Sequence, residues 1–241
     1  MKKILFASDL DNTLLFSYKH KLDGDLCVEH LDGREQGFCT RMSLELLVSM
    51  WEKIRFIPVT TRSVAQYKRI AWPADCTPKY ALTTNGGILL VNGTADEDWL
   101  EETRRLTSPW QEELLDLESR LPEAPVLKRF RIVDGLYLFA ACDGADDARR
   151  GGDFFARKTA LSIAVSGRKV YFFPPPLHKG TAVRRLKEKF QPGKTICAGD
   201  SAIDVPMFSE AELALMPEKA MGQRFPDFVI QSVWEVVQNE R

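Results

Sequence analysis

The chain has 241 residues, of which 44% are hydrophobic and 28% charged, and its formal net charge is -1. This length and composition suffice for one large domain, or for one domain with a smaller one, and exclude a disordered chain. Because the net charge is close to zero, no global positive field attracts nucleic acid or an anionic membrane, so neither is expected as a partner. Five cysteines, without a Cys-x-x-Cys spacing, favour a reduced, cytoplasmic compartment.

The first predicted strand, residues 4–8, runs into two aspartates, Asp9 and Asp11, which flank a single leucine. Side chains two apart in a strand point the same way, so both carboxylates are expected to leave the strand tip side by side. Adjacent carboxylates repel each other unless they share a proton or bind a cation. Mg2+ prefers carboxylate and carbonyl oxygens, so the pair predicts a magnesium site.

Apolar runs predict further strands, and helical patterns lie between several of them. The strands are expected at 54–59, 79–83, 195–198, 213–216 and 228–230, and the helices at 43–53, 180–190 and 205–210. Strands that alternate with helices predict a doubly wound, Rossmann-like parallel sheet covered on both faces. Between residues 13 and 43, polar turns around a short apolar run are equally consistent with a β-hairpin flap and with an ordinary surface excursion.

The middle of the chain has a different pattern. From about residue 88 we expect a strand, helices at 99–106, 109–121 and 145–158, and strands at 126–133, 136–141, 161–165 and 169–173. Two glycines before this stretch and three prolines after it, at 174–176, fit a hinge and a stiff linker. The predicted organisation is a core of residues 1–86 and 175–241 with an inserted α+β cap at 87–174.

Two further polar side chains fall at the ends of predicted core elements. Thr60 closes the strand 54–59, and we prefer it to Thr61 because it follows the apolar run directly. Its hydroxyl is placed to donate to an oxygen of a phosphoryl group. Lys179 opens a helix, whose N-terminus favours anions.

A second pair of carboxylates, Asp200 and Asp204, follows the strand 195–198 in a loop that enters a helix. In a parallel sheet the strands end at the same edge, and ligands bind outside that edge. Asp200 is therefore expected to face Asp9 and to supply a further ligand for the metal.

In this order the motifs resemble those of the haloacid dehalogenase superfamily, whose members are chiefly phosphohydrolases. The matching pieces are Asp-Leu-Asp-Asn-Thr from Asp9, the apolar strand ending in Thr60, Lys179, and Gly-Asp-Ser-Ala-Ile-Asp-Val-Pro-Met from Gly199. The insertion between Thr60 and Lys179 resembles a C2-type cap. Its borders resemble those of Cof-type, sucrose-phosphate and trehalose-phosphate phosphatases.

The resemblance implies Mg2+-dependent hydrolysis of a phosphomonoester through an aspartyl phosphate formed on Asp9. Asp11 would act as general acid and then as general base. Thr60 and Lys179 would stabilise the oxygens of the transferred phosphoryl group. The implied substrate is a small phosphorylated metabolite such as a sugar or polyol phosphate.

The resemblance also implies the metal ligands. These would be Asp9, the backbone carbonyl of Asp11 and Asp200, while Asp204 would hold a metal-bound water or orient the helix lysine. Relatives in this branch usually have asparagine before the last aspartate, where this chain has Ile203. A polar contact near the metal is lost by that difference, which weakens the prediction for Asp204.

Two residues are candidates for contact with the substrate. Asn85 is predicted either to contact the substrate or to do no more than form a turn. The basic residues of the predicted cap are interpreted as a solvated face, with Arg168 favoured as the one that meets the substrate.

Other functions remain open. A phosphomutase would use the same two aspartates, and a catalytically silent binding protein would share the fold. A receiver-type signalling module is disfavoured because it has no inserted cap, and a dinucleotide-binding enzyme because no Gly-x-Gly-x-x-Gly follows the first strand. No pattern decides the oligomeric state.

Overall fold

A computed structural model gives the structure of the protein and describes residues 2–240; residues 1 and 241, which the predicted core includes, lie outside them. The strands are β1 (Ile4–Ser8), β2 (Phe16–Ser17), β3 (Leu26–Leu31), β4 (Arg34–Cys39), β5 (Ile54–Pro58), β6 (Tyr80–Thr83), β7 (Ile88–Val91), β8 (Thr94–Ala95), β9 (Arg129–Val133), β10 (Tyr137–Ala141), β11 (Ser162–Ser166), β12 (Lys169–Phe173), β13 (Thr195–Ala198) and β14 (Leu213–Leu215). The α-helices are α1 (Arg41–Ser49), α2 (Val64–Tyr67), α3 (Glu97–Thr107), α4 (Gln111–Arg120), α5 (Ala145–Phe155), α6 (Lys179–Phe190), α7 (Val205–Phe208) and α8 (Phe225–Asn239). None of the helices in this part of the chain combines the length and apolarity that a membrane span requires.

A parallel sheet in the order β14-β13-β1-β5 forms the centre of the core. A parallel bridge from Val59 to Leu82 attaches β6 beside β5. Alternate residues of β1 serve opposite layers, as a strand period of two requires. Phe6 belongs to the cluster that contains α1 and α8, whereas Leu5 and Ala7 belong to the cluster that contains α6 and α7. The predicted doubly wound sheet is therefore confirmed.

One predicted strand is wrong, because residues 228–230 lie within α8. The buried side chains of this helix recur at steps of three and four residues, at Val229, Ile230, Val233 and Val237. That spacing is helical, and Pro226 stands in the first turn, where proline starts a helix rather than breaking it. A window of three apolar residues is too short to reveal this period.

The inserted unit has its own antiparallel sheet, in the order β11-β12-β10-β9. On one face of this sheet, Leu138 and Phe172 are buried with residues of α4 and α5. On the other face, Tyr137, Tyr171 and Phe173 join the hydrophobic cluster of the core. The unit is thus a separate α+β layer whose sheet faces the core, as a cap requires.

The exact start of the insertion stays a prediction. After Gly86, the elements β7, β8 and α3 still pack on the core: Trp99 is buried among core residues, and its indole donates to the Gly86 carbonyl over 3.1 Å. Arg185 of α6 also donates to the Trp99 carbonyl over 2.8 Å. We propose that the cap begins near Ser108 rather than at residue 87.

The segment between β1 and α1 forms a small antiparallel sheet in the order β2-β4-β3. Its strands β3 and β4 make a hairpin, and the turn residues Asp32 and Gly33 both have positive φ, as a two-residue hairpin turn favours. The sequence was consistent with a β-hairpin flap and with an ordinary surface excursion, and the structure has the hairpin. We call residues 16–39 the flap.

Candidate active site

Asp9 lies directly after β1, at the carboxyl edge of the central sheet. Its amide donates to the Ala198 carbonyl at the end of β13 over 2.8 Å, which holds the two strand ends side by side. The residue is only 6% exposed. A buried carboxylate needs a charged or hydrogen-bonding partner, and Lys179 supplies one by donating from Nζ to Asp9 Oδ1 over 2.6 Å.

Lys179, the first residue of α6, joins Asp9 to Asp204. It is 1% exposed and also donates to Asp204 Oδ1, over 2.5 Å. Asp204 Oδ2 accepts from the Asp200 amide at 3.1 Å, and from the amide and hydroxyl of Ser201 at 2.9 and 2.8 Å. Because both oxygens of Asp204 are engaged, the geometry favours its role in orienting Lys179. Direct contact of Asp204 with a metal stays a prediction.

Two glycines of the motifs are required by close contacts. A Cβ on Gly199 would lie 2.4 Å from the Cβ of Asp204, and a Cβ on Gly180 would lie 2.3 Å from the Pro206 carbonyl oxygen. Neither approach is possible for a residue with a side chain unless the backbone moves. The glycines therefore allow the loop after β13 and the start of α6 to meet around Lys179.

The carboxylates of Asp9, Asp200 and Asp204 form a compact cluster, with one oxygen of each within 4.8 Å of the others. Burial raises the pKa of Asp9 to about 8, against the opposing charge of Lys179, and the negative charge of Asp204 adds to the rise. Burial likewise raises the pKa of Asp200 to about 6, again with a contribution from Asp204. One ammonium group does not balance three carboxylates, so the cluster has an excess of negative charge. A set of oxygen ligands with that excess fits Mg2+, which Asp9 and Asp200 would hold.

Binding of Mg2+ is expected to strengthen as the pH rises from about 5 to 8. One proton competes with the cation for Asp9, whose pKa is about 8, and another competes for Asp200, whose pKa is about 6. The stability of the metal-free protein changes in the opposite direction. The folded state binds the proton of Asp200 more tightly than the unfolded state, whose pKa is near 3.8, so the free energy of unfolding falls as the pH rises from 3.8 to about 6. Calorimetric titration with Mg2+ and thermal unfolding in EDTA, both at several pH values, measure the two trends. In Asp200→Asn only the titration of Asp9 remains, so the pH dependence of the metal affinity is expected to weaken. A pH dependence that this variant leaves unchanged would contradict the assignment of Asp200.

Asp11 lies outside this cluster and is held by Arg62. Its carboxylate accepts from Arg62 Nε at 2.9 Å and from Nη2 at 2.7 Å. Burial alone would raise the pKa of Asp11, but the hydrogen bonds and charge of Arg62 outweigh it and hold that pKa below its ordinary value. The two aspartates of the first motif thus have different partners and different protonation behaviour.

Two residues beside Asp11 were not predicted from the sequence, namely Arg62 and the residue behind it, Glu29. Arg62 Nη1 lies 2.9 Å from Glu29 Oε2, and Arg69 donates from Nε to Glu29 Oε1 over 2.9 Å. Glu29 comes from the flap and is 1% exposed. The available signal for Arg62 was its place two residues after Thr60, at the same sheet edge. The burial of Glu29 could not be predicted, because the alternation of side chains along a strand does not show which face of the flap packs against the rest of the protein.

Thr60 is fully buried at the end of β5. Its hydroxyl oxygen accepts from the Arg62 amide at 3.1 Å, and its carbonyl accepts from the Asn85 amide at 2.9 Å. Asn85 has a left-handed φ of 58° and donates from Nδ2 to the Leu177 carbonyl over 2.9 Å. It therefore connects the end of β6 to the segment that enters α6. Contacts of Thr60 with the phosphate and of Asn85 with the substrate stay predictions.

The hairpin turn of the cap is bonded to the core through Asp134. Its carboxylate accepts from the Val64 amide at 3.0 Å and from the Thr84 hydroxyl at 2.5 Å. The Tyr137 hydroxyl adds a bond to the Thr61 carbonyl at 2.6 Å. Thr84 has a φ of 54°, a conformation that is strained for a β-branched residue. These bonds hold the cap over the edge of the sheet.

A cleft of about 470 Å3 opens beside Asp11, between the core, the flap and the cap. Its size is in the range of small-molecule sites. The cap contributes aromatic and basic side chains to its wall, and Arg168, which the sequence analysis favoured, is among them. The contact of Arg168 with a substrate stays a prediction.

The chain shares its fold with solved phosphatase structures over almost its whole length. The sucrose-phosphatase from Synechocystis sp. PCC6803, in complex with sucrose and phosphate, matches with a TM-score of 0.67 and 17% identity over 99% of both chains. The trehalose-6-phosphate phosphatase of Aspergillus fumigatus matches with a TM-score of 0.54 and 15% identity over 99% of this chain and 94% of that one. The IMP-nucleotidase of Plasmodium falciparum matches with a TM-score of 0.60 and 12% identity over 96% of this chain and 68% of that one.

Comparison by sequence finds no matching protein family and no matching curated protein. At identities of 12 to 17%, likeness between structures establishes the fold, whereas the function has to be argued from the site. The resemblance seen in the motifs is confirmed at the level of the fold. The protein has the haloacid dehalogenase-like fold, with an inserted α/β cap.

Proposed function

We propose that the protein is a Mg2+-dependent phosphomonoester hydrolase that acts on a small phosphorylated metabolite through an aspartyl phosphate on Asp9. The observation that carries this proposal is the buried Lys179, which donates to both Asp9 and Asp204 at the carboxyl edge of a parallel sheet. Asp200 lies beside them, and the cleft opens next to Asp11. The solved neighbours named for sucrose and trehalose phosphates support a sugar or polyol phosphate as the substrate.

In the first step, a carboxylate oxygen of Asp9 forms a bond to phosphorus while the bond from phosphorus to the ester oxygen breaks. Lys179 keeps the Asp9 side chain in place and brings a positive charge to the oxygens of the phosphoryl group. When bound, Mg2+ would screen the charge of Asp9 from that of the phosphate dianion. In the second step, water attacks phosphorus and releases Asp9.

The proton for the leaving alkoxide is assigned to Asp11, which then takes a proton from the attacking water. In the structure Asp11 is held as a carboxylate by Arg62, which is the form that serves the second step. For the first step Asp11 has to carry a proton, so Arg62 has to leave it. We propose that Arg62 moves from Asp11 to an oxygen of the incoming phosphate, and that this exchange raises the pKa of Asp11 before the ester bond breaks.

Replacement of Arg62 by glutamine is expected to lower kcat/KM about 10- to 100-fold, because a charge-assisted bond to the phosphate is lost. Without the nearby cation, the pKa of Asp11 is expected to rise toward its ordinary value, so the limb of the pH profile that reports Asp11 moves to higher pH. The pH dependence of kcat and of kcat/KM measures both effects. The matched control is Arg69→Gln, which removes a partner of Glu29 that makes no bond to Asp11. An unshifted pH profile in Arg62→Gln would exclude the exchange.

The proposed function is tested by phosphate release from sugar, polyol, nucleotide and phosphoglycerate monoesters, with and without Mg2+. Turnover that requires the metal supports the hydrolase. Isomerisation of a sugar phosphate without release of phosphate would support the phosphomutase alternative. No reaction with any ester, in a folded protein that binds Mg2+, would leave the silent binding protein as the better interpretation.

A further inference from the structure

The register of the cap sheet places basic residues in rows on the side that faces the core. Arg131 lies in one row with Phe139 and Tyr171, and Arg129 and Lys169 lie in the next row, further from the hairpin turn. Residues two apart in a strand share a face, and Tyr171 packs toward the core. Arg129, Arg131 and Lys169 therefore point to the core side, and all three line the cleft beside Asp11.

These basic residues have no acidic partner. Within residues 2–240, Arg129, Arg131, Lys169 and Arg168 of the adjoining turn form no ion pair, whereas the arginines of the core wall are paired with Asp11 and Glu29. The paired charges in the cleft cancel each other, and the cap wall keeps an excess of positive charge. The cleft is thus strongly cationic although the whole chain has a net charge of -1.

One phosphate group does not account for this excess. Lys179, Arg62 and a bound Mg2+ would meet the charge of the reacting phosphate. The rows of the cap sheet are about 7 Å apart, the length of two residues in a strand. Asp11 and Lys169 line the same cleft of about 470 Å3, so one small molecule can contact both. Arginine and lysine offer only hydrogen-bond donors, whereas a neutral sugar presents hydroxyls that both donate and accept. The charged side chains of this wall therefore match a group that only accepts.

We propose that the substrate carries a second anionic group, a carboxylate or a second phosphate, which Arg129, Arg131 and Lys169 bind while the reacting phosphate lies at Asp9. This inference rests on the proposed hydrolase and narrows its substrates to acidic phosphate esters. The cap thereby selects among phosphorylated metabolites by charge, with the carbon skeleton between the two anions setting their separation.

The test compares esters that differ by one charged group. The pairs are 3-phosphoglycerate with glycerol 3-phosphate, and fructose 1,6-bisphosphate with fructose 6-phosphate; p-nitrophenyl phosphate reports hydrolysis of an ester without a second anion. In the wild type, kcat/KM is expected to be about 10- to 100-fold higher for the acidic member of at least one pair. A preference within the first pair identifies the second anion as a carboxylate, and a preference within the second pair identifies it as a phosphate.

Arg131→Gln and Lys169→Gln are each expected to lower this preference at least about tenfold. The matched control is Arg149→Gln, which removes the same charge from the cap but lies on α5, where Arg149 pairs with Asp146. It is expected to leave the preference unchanged. All three side chains are exposed, so the substitutions do not disturb the cores.

Three results would overturn the inference. If the wild type hydrolyses p-nitrophenyl phosphate and the neutral esters without preferring an acidic one, the inference fails and the proposed function stands. If the wild type prefers acidic esters but Arg131→Gln and Lys169→Gln keep that preference, the second anion binds elsewhere. If no ester is hydrolysed, the proposed function fails, and the inference with it.

Discussion

Asp9→Asn is expected to reduce kcat by about 10⁴-fold or more, because an amide does not form the acyl phosphate on which both chemical steps depend. Asparagine has the shape of aspartate and keeps an oxygen that accepts from Lys179, so the site is expected to stay assembled. It also resembles the protonated acid that burial favours, since the pKa of Asp9 is raised to about 8. The free energy of unfolding is therefore expected to be maintained while activity disappears.

Phosphate release and denaturant unfolding, both measured on Asp9→Asn, separate these two effects. The control is Asp153→Asn, an equally conservative change at an exposed position on α5, which is expected to leave kcat unchanged. A variant that keeps a substantial share of the wild-type rate would show that Asp9 is not the nucleophile. Loss of the folded state would show instead that the Asp9 carboxylate has a structural role.

Lys179→Met is expected to lower the free energy of unfolding by about 3–5 kcal/mol, as removal of one partner from a buried ion pair usually does. Methionine fills a similar volume, but it leaves Asp9 and Asp204 buried without their shared cation. The loss is expected to shrink at lower pH, where Asp9, whose pKa is raised by burial, becomes neutral by taking up a proton. Urea denaturation of the metal-free protein at two pH values measures it.

The matched control for this change is Lys189→Met, on the same helix. Lys189 lies 3.3 Å from Asp96, and its side chain is 42% exposed, so its removal is expected to cost about 0–1 kcal/mol. Equal losses in the two variants would contradict the view that Lys179 is the cation on which the site is assembled.

The proximity of Asp9 and Lys179 was predictable because the rules of parallel sheets act on residues far apart in the chain. Asp9 and Lys179 are separated by 170 positions, and each lies where a core element starts or ends. Since such ends meet at one edge of the sheet, residue types and their order were enough to place them together. The strand and helix periods of the cap were also long enough to be recognised.

Side-chain partners were not predictable in the same way. Whether Asp11 pairs with Arg62, and whether Arg131 faces solvent or the cleft, depends on strand register and on the packing of three separate units. The basic residues of the cap therefore looked like a solvated face in the sequence. In α8 the apolar residues 228–230 suggested a strand because packing against α1, which selects the helical face, lies far away in the chain.

The bond between Asp134 and Thr84 has a consequence for the opening of the cap. A hydrogen bond to a carboxylate stabilises the closed cap by about 1.5–3 kcal/mol, whereas the left-handed backbone of Thr84 costs about 1–3 kcal/mol. The two terms have opposite signs and similar size, so the strain offsets part of the free energy that the bond contributes. The strain at Thr84 thus lowers the free energy needed to detach the hairpin turn of the cap from the core, and the bonds of Val64 and Tyr137 and the packing of the cap sheet provide the rest of the attachment.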